Sequence, residues 1–441
     1  MNIIQIIPGS GGSFYCGNCL RDSKFVDALR KEGHQVIKVP MYLPLFSDEH
    51  DLGDVPVFYG AISIYLKQLY PIFQKAPAWF DRLLNTKPML KLAASMAGST
   101  DAAGLEEMTV SMLLGEDGKQ KDELERMIDW IGENLQPDVI HISNALLLGL
   151  AHRIRKKIGV PVICSLQDED VWVDVMKPSY QRQVWSLMQE KSADVDAFIA
   201  VSHFFADLMK ERLQLPGEKV FPVYLGVDPD EYEFIPSTQK PRTVGYISRL
   251  CYENGFDIVV DAFILLREKK EFSDVKLVVT GGSTAADTKY IRMLKRRINR
   301  AGLHQDVDFH EEFEGPGRAG FFRKVAIASV PVRKGEAFGM YLTELMASGI
   351  PIVQPSLGAF PEIVNLSGGG INYMPNQPED LARAWSSLLS DSEKLEELSH
   401  QARKGVSTHF NIYEHAQEMI GIYERLIQKQ TTDVTANQTD S

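Results

Sequence analysis

Short apolar runs alternate with longer segments of helical period along most of the chain. In the first half IIQII (3–7), QVIKV (35–39), DVIHI (138–142), PVICSL (161–166) and AFIAVS (197–202) read as strands. Between them CLRDSKFVDALRKEGH (19–34) and ALLLGLAHRIRKKIG (145–159) read as helices, each closed by glycine after basic residues. A second alternating set follows the turn-rich stretch VDPDEYEFIPSTQKP (227–241). Its strands are RTVGYI (242–247), KLVVTG (276–281), VDFH (307–310), AIASVPV (326–332) and GIPIVQP (349–355), with helices such as DIVVDAFILLREKK (257–270) between them. Strands that alternate with helices predict parallel sheets covered by helices, hence two Rossmann-like α/β domains, 1–225 and 226–410, with a ligand expected in the cleft between them.

Two segments stand outside that plan. Residues 45–130 form a mostly helical excursion rich in aromatics, among them Phe58, Tyr65, Tyr70 and Trp79. Residues 411–429 keep helical spacing through Ile412, Ala416, Met419, Ile420 and Tyr423, and predict a terminal helix packing back across the domains. The polar tail 430–441 reads as disordered.

Length and charge sharpen this picture. A chain of 441 residues suits two domains of roughly 200 residues each. A net charge of −12 argues against nucleic acid as a partner, which asks for a basic surface. No secretory signal is visible, and no apolar run reaches the ~18 residues needed to span a bilayer. Four cysteines fit a reducing compartment, so a cytoplasmic location is expected. Cys16 and Cys19 form a C-x-x-C pair, but no second pair completes a zinc site, and no metal is expected.

The strongest chemical signal is KGEAFGMYLTELMASGIPIV (334–353). Glu336 falls in a glycine-containing loop after a strand, and Glu344 lies inside the helix that begins near Met340. A helix start offers unpaired N–H groups and a positive dipole end, while carboxylates accept from sugar hydroxyls. That combination suits a sugar diphosphate. Read singly, Glu344 is equally a solvated helix residue.

The Glu336/Glu344 pair, the AFGM loop and ELMASGIPIV resemble the donor-site signature of the retaining glycosyltransferase family 4, which has the GT-B fold of two Rossmann-like domains. Further segments resemble that family in the same order: GSGG (9–12), PDVIHI (137–142), AVS (200–202), VYLGVDPDEY (223–232), ISRLCYENG (247–255) and GAFPEIV (358–364). The resemblance implies that Glu336 binds the transferred sugar, Glu344 the donor ribose, and the backbone of Phe338, Gly339 and Met340 the sugar and phosphate. It also implies that Arg249 neutralises the diphosphate and that Gly11 and Gly12 approach the donor closely.

Two positions depart from the family. Asn254 stands where a lysine usually gives the diphosphate a second cation, a part that Arg333 or Lys334 could take over. Gln167, followed by Asp168, stands where a histidine often lies near the sugar and acceptor. The implied activity is transfer of a hexose-type sugar from a nucleotide-diphosphate donor, as co-substrate, to a glycan, lipid or small-molecule acceptor. The resemblance further implies retention of configuration and neither metal nor cofactor. Other GT-B chemistry (a nucleotide-sugar epimerase or a phosphorylase) and a non-catalytic binding protein are the alternatives. Hydride transfer is disfavoured, because the second strand lacks the acidic residue that would hold a dinucleotide ribose. The stretch 57–84, with Lys67, Lys75 and Arg82 among its aromatics, has three readings: extra core, a stacking surface for a sugar acceptor, or a peripheral membrane contact extending over 57–91.

Overall fold

The structure, a computed structural model, describes residues 1–8, 17–41, 105–310 and 315–439. Among them every strand is parallel to its neighbours, and two six-stranded sheets result. The first holds β1 (Asn2–Ile7), β2 (Gln35–Pro40), β3 (Val139–Ile142), β4 (Val162–Leu166), β5 (Ala197–Ala200) and β6 (Val220–Pro222), in the order β2-β1-β3-β4-β5-β6. Both faces are covered, which is why β3 and β4 are buried at every residue and read as continuous apolar runs. Ile4 fixes the register at the centre, opposite Ile37 on one side and Ile140 on the other.

The second sheet holds β7 (Thr243–Ile247), β8 (Lys276–Thr280), β9 (Val307–Phe309), β10 (Ile327–Ala328), β11 (Ile352–Pro355) and β12 (Gly370–Tyr373), in the order β12-β11-β10-β7-β8-β9. Strand order therefore reverses between β7 and β10 here, and between β1 and β3 in the first sheet. In open sheets of this kind, ligands bind outside the carboxyl ends of the strands at such reversals.

Strand β1, Asn18–Val223 and the chain from Ala416 onward form one unit, and Tyr224–His415 form the other. The terminal helix, Ile412–Thr439, fastens to the first sheet through Tyr423, which is fully buried. The Tyr423 hydroxyl lies 2.6 Å from His141 Nδ1, and His141 Nε2 lies 2.8 Å from Ser165 Oγ. Burial, reinforced by the charge of Arg21, pushes the His141 pKa down to about 3, so the imidazole is neutral.

The structure departs from the sequence reading in several places. Strands β6 and β12 had no clear apolar signature, being short and only partly buried. The run 326–332 forms a strand only over Ile327–Ala328: the Val330 N–H donates to the Gln354 side chain at 3.2 Å rather than to a ladder, and Pro331 has no N–H to give. Residues 145–159 divide into a 3-10 turn, Ala145–Leu150, and a short α-helix, Ala151–Lys157. The terminal helix runs to Thr439 rather than stopping near 429, since TTDVTANQT contains neither glycine nor proline and each added residue closes one more backbone bond. Of the excursion 45–130, the described part contains the helices Glu106–Leu113 and Lys121–Asn134. The stretch 57–91, Gly11, Gly12 and Cys16 lie outside the described residues. No described helix is long and apolar enough to cross a membrane.

Candidate active site

The reversal between β7 and β10 puts the segments that follow these two strands side by side at the carboxyl edge. Arg249 follows β7 in a turn closed at Gly255, whose φ is +69°. A Cβ there would come 2.1 Å from the Pro331 carbonyl oxygen, so glycine lets the two segments touch. The Arg333 N–H donates to the Glu253 carbonyl at 3.0 Å and completes the junction.

Arg249 is held before any ligand arrives. Its Nε and Nη2 donate to the two carboxylate oxygens of Asp287 at 2.9 and 3.0 Å, and Nη2 also reaches Thr284 Oγ1 at 3.1 Å. Asp287 in turn accepts from the Thr284 N–H at 2.7 Å, in the capping box that opens the 3-10 turn Ala285–Asp287, just before the helix Thr288–Arg300. Burial raises the Asp287 pKa, but its bonds to Arg249 and Thr284 outweigh that and hold it below the usual range.

Asn254 has its amide turned into the turn itself, donating to Ser248 Oγ at 2.8 Å. Arg333 is likewise engaged: it lies 3.8 Å over the Tyr252 ring, donates to the Tyr252 carbonyl at 2.9 Å and pairs with Asp257. Lys334 is exposed and, among the described residues, has no ion pair or hydrogen bond.

Glu336 is half-buried in the segment after β10, with its carboxylate lying over Gly339. Gly339 has φ +91°, and a Cβ on it would sit 2.8 Å from Glu336 Oε2. The helix Met340–Ala347 starts at the next residue and is buried along its length. Phe338 is 1% exposed and packs between Tyr224 and Phe410, so only its backbone can meet a ligand. At the other end of this helix, buried Lys240 donates to the Ser348 carbonyl at 3.1 Å, and burial pushes its pKa down to about 7.

Glu344 is not a solvated helix residue. It is 2% exposed, pairs with Arg318 and accepts from the Tyr232 hydroxyl at 2.9 Å.

In the other unit, Ser143 and Gln167 follow β3 and β4. Gln167 Nε2 donates to the Ser143 carbonyl at 2.8 Å, and Arg21 Nη2 reaches the same oxygen at 3.3 Å. Gln167 Oε1 and Ser143 Oγ are buried with no hydrogen-bond partner among the described residues. Asp168, half-buried, has φ +55°, a left-handed backbone that costs a non-glycine residue roughly 1–2 kcal/mol. Beside it Glu169 accepts from the Ala145 and Gln167 N–H groups at 2.9 and 2.7 Å. Burial outweighs these bonds and pushes the Glu169 pKa up to about 8.

Sequence reasoning missed Asp287, Arg318, Tyr232 and Glu169. Only Asp287 carried a readable signal, the capping-box spacing of Thr284 and Asp287. Among the described residues no three His, Cys, Asp or Glu side chains are grouped as a metal-ion site.

Comparison with known proteins bears on this geometry. Residues 228–405 match the family model described as glycosyl transferases group 1, and 118–231 match that of glycosyltransferase family 4. An uncharacterized glycosyltransferase of Methanocaldococcus jannaschii is 23% identical over 322 residues, covering 69% of this chain and 79% of the relative. Sucrose-phosphate synthase from Thermosynechococcus elongatus superposes with a TM-score of 0.70 at 16% identity, over 97% of this chain and 99% of the other. Anabaena HepE, crystallised with UDP and glucose, superposes with a TM-score of 0.67 at 17% identity, over 96% and 99% of the two chains.

Proposed function

We infer that the chain, a glycosyltransferase of GT-B fold that matches the group 1 and family 4 models, transfers a hexose-type sugar from a nucleoside-diphosphate donor to a glycan, lipid or small-molecule acceptor. One observation carries the donor assignment. Arg249 and Glu336 follow the adjacent strands β7 and β10 at the strand-order reversal, and the helix Met340–Ala347 starts beside Glu336. The UDP and glucose held by Anabaena HepE support a nucleotide sugar as the donor class.

In this reading the Arg249 fork, already aimed by Asp287, neutralises the diphosphate as its charge grows. The first N–H groups of the Met340 helix add hydrogen bonds and a positive dipole end. Glu336 accepts from the sugar hydroxyls and fixes the ring. Glu344 meets the ribose by exchanging its Arg318 or Tyr232 partner for ribose hydroxyls. We assign contact with the sugar or acceptor to Gln167 and Asp168.

The anomeric carbon–oxygen bond to the diphosphate breaks as the acceptor oxygen bonds on the same face. The acceptor proton passes to the departing diphosphate oxygen, so configuration is retained. Transfer of this kind needs neither a protein nucleophile nor a metal, and positioning and charge stabilisation supply the rate. We place the enzyme in the cytoplasm, with 57–91 meeting the acceptor or the inner face of the membrane. The Lys67/Lys75/Arg82→Glu triple variant in vesicle sedimentation tests that contact.

Release of nucleoside diphosphate from a panel of nucleotide sugars, with and without candidate acceptors, tests the activity. Arg249→Ala and Glu336→Ala should each remove most of the release while the fold persists. Turnover near that of the intact chain in either variant would sink the donor-site assignment.

A further inference from the structure

The helix Thr288–Arg300, TKYIRMLKRRINR, carries six basic residues and no acidic one, in a chain whose net charge is −12. Its inner face is set by Leu294 and Ile298, which are buried. On a 3.6-residue period Lys289, Arg292, Arg296 and Arg300 then fall together on the opposite face, and all four are exposed. They span about 16 Å at ~1.5 Å per residue.

Neighbouring basic residues are accounted for within the protein. Arg297 pairs with Asp261 at 2.5 Å, and Lys295 Nζ lies 4.4 Å from the Phe309 ring centre. The outward four have no ion pair or hydrogen bond among the described residues. Arg292, Arg296 and Arg300 repeat at four-residue spacing, where like charges repel. An ordinary solvated helix mixes signs, as Ser392–His409 does with its Lys394–Glu397 pair at 2.8 Å.

We propose that the outward face of Thr288–Arg300 is a docking surface for an anionic membrane. A row of four outward cations, unpaired among the described residues, complements a sheet of mobile anionic headgroups, which can move to match any spacing of charges. Met293 decides for lipid over a phosphate polymer. It is 46% exposed beside this row, and an apolar side chain gains nothing from a hydrated polyanion but enters the interfacial layer of a bilayer. The contact is mainly electrostatic, with Met293 its one interfacial apolar side chain, because the helix's own apolar face, Leu294 and Ile298, is already buried. It needs no part of 57–91 and does not depend on which sugar is transferred.

The test is co-sedimentation of the full chain with vesicles of phosphatidylcholine alone, or with 30 mol% (on the order of the anionic content of a cytoplasmic leaflet) phosphatidylglycerol. The intact chain should bind only the anionic vesicles, and salt should weaken the binding. A K289Q/R292Q/R296Q/R300Q variant should bind roughly 1,000-fold more weakly. Circular dichroism and nucleoside-diphosphate titration should show that variant folded and its donor site unchanged. Retention of vesicle affinity by the variant would overturn the proposal. So would failure of the intact chain to bind anionic vesicles at low salt, or binding to immobilised heparin without binding to vesicles.

Discussion

Replacing Gly339 with alanine should uncouple Glu336 from its place without unfolding the protein. The new Cβ would sit 2.8 Å from Glu336 Oε2, roughly 0.5 Å or more inside ordinary contact, so the carboxylate must shift by about that much. A misplacement of about 1 Å can cost ~100-fold in rate, so half that shift implies about a 10- to 100-fold loss in kcat/KM, or ~1.4–2.7 kcal/mol. The backbone adds its own cost, since alanine at φ +91° loses about 1–2 kcal/mol of stability. Gly33 separates the two effects, because it has φ +87° with nothing within 4 Å of an added Cβ. Gly33→Ala should therefore lower the melting temperature comparably while leaving turnover alone. Steady-state release of nucleoside diphosphate, run beside thermal melts of both variants, measures the split. If Gly339→Ala keeps turnover within twofold of the intact chain, the Glu336 carboxylate does not act where the geometry puts it.

Other outcomes follow from individual contacts. Asn254→Lys should fail to raise nucleoside-diphosphate affinity and should cost ~1 kcal/mol of stability, because it removes the bond to Ser248 Oγ; calorimetric titration and urea melts check both. Lys334→Ala should weaken diphosphate binding severalfold in the same titration if that exposed ammonium supplies the second cation. Lys240, with a folded pKa of about 7 against 10.5 unfolded, binds fewer protons folded than unfolded between these values. Stability should therefore rise with pH across that window by up to ~1.4 kcal/mol per unit, and Lys240→Met should flatten the slope in melts at pH 6–10 (roughly the range spanning both values). Glu169 runs the other way: its folded pKa of about 8 lies above the unfolded 4.5, so its contribution is complete below 4.5 and is lost as pH rises through 8. Melts of Glu169→Ala should lack that decline.

Most of the architecture was legible in the sequence because buried parallel strands leave unmixed apolar runs, as IIQII and PVICSL do. The strands it hid were the sheet edges β6 and β12, where a three-residue VFP and a half-covered GINY carry no such run. The loops holding Arg249 and Glu336 were legible for a topological reason, since residues just after a strand must arrive at the carboxyl edge. What holds those side chains was not. Asp287 lies 38 residues from Arg249, Arg318 lies 26 from Glu344, and only the folded chain brings them together. Glu169 stands in the acidic run 168–170, which carries no sign of burial, and its burial depends on how 145–150 closes over it.

The His141–Tyr423 bond also constrains how the protein can be made. Its partners are 282 residues apart, and Tyr423 belongs to the same unit as the first sheet. On a ribosome adding about 5–20 residues per second, strand β6 emerges roughly 10–40 s before Tyr423 does. Throughout that interval the first unit lacks its final helix, and the face around His141 and Ser165 is uncovered. Tyr224–His415 is complete before the terminal helix is finished, so the half synthesised second can be the first to reach its native core. The N-terminal half, though translated earliest, is the stretch of nascent chain most exposed to holding chaperones.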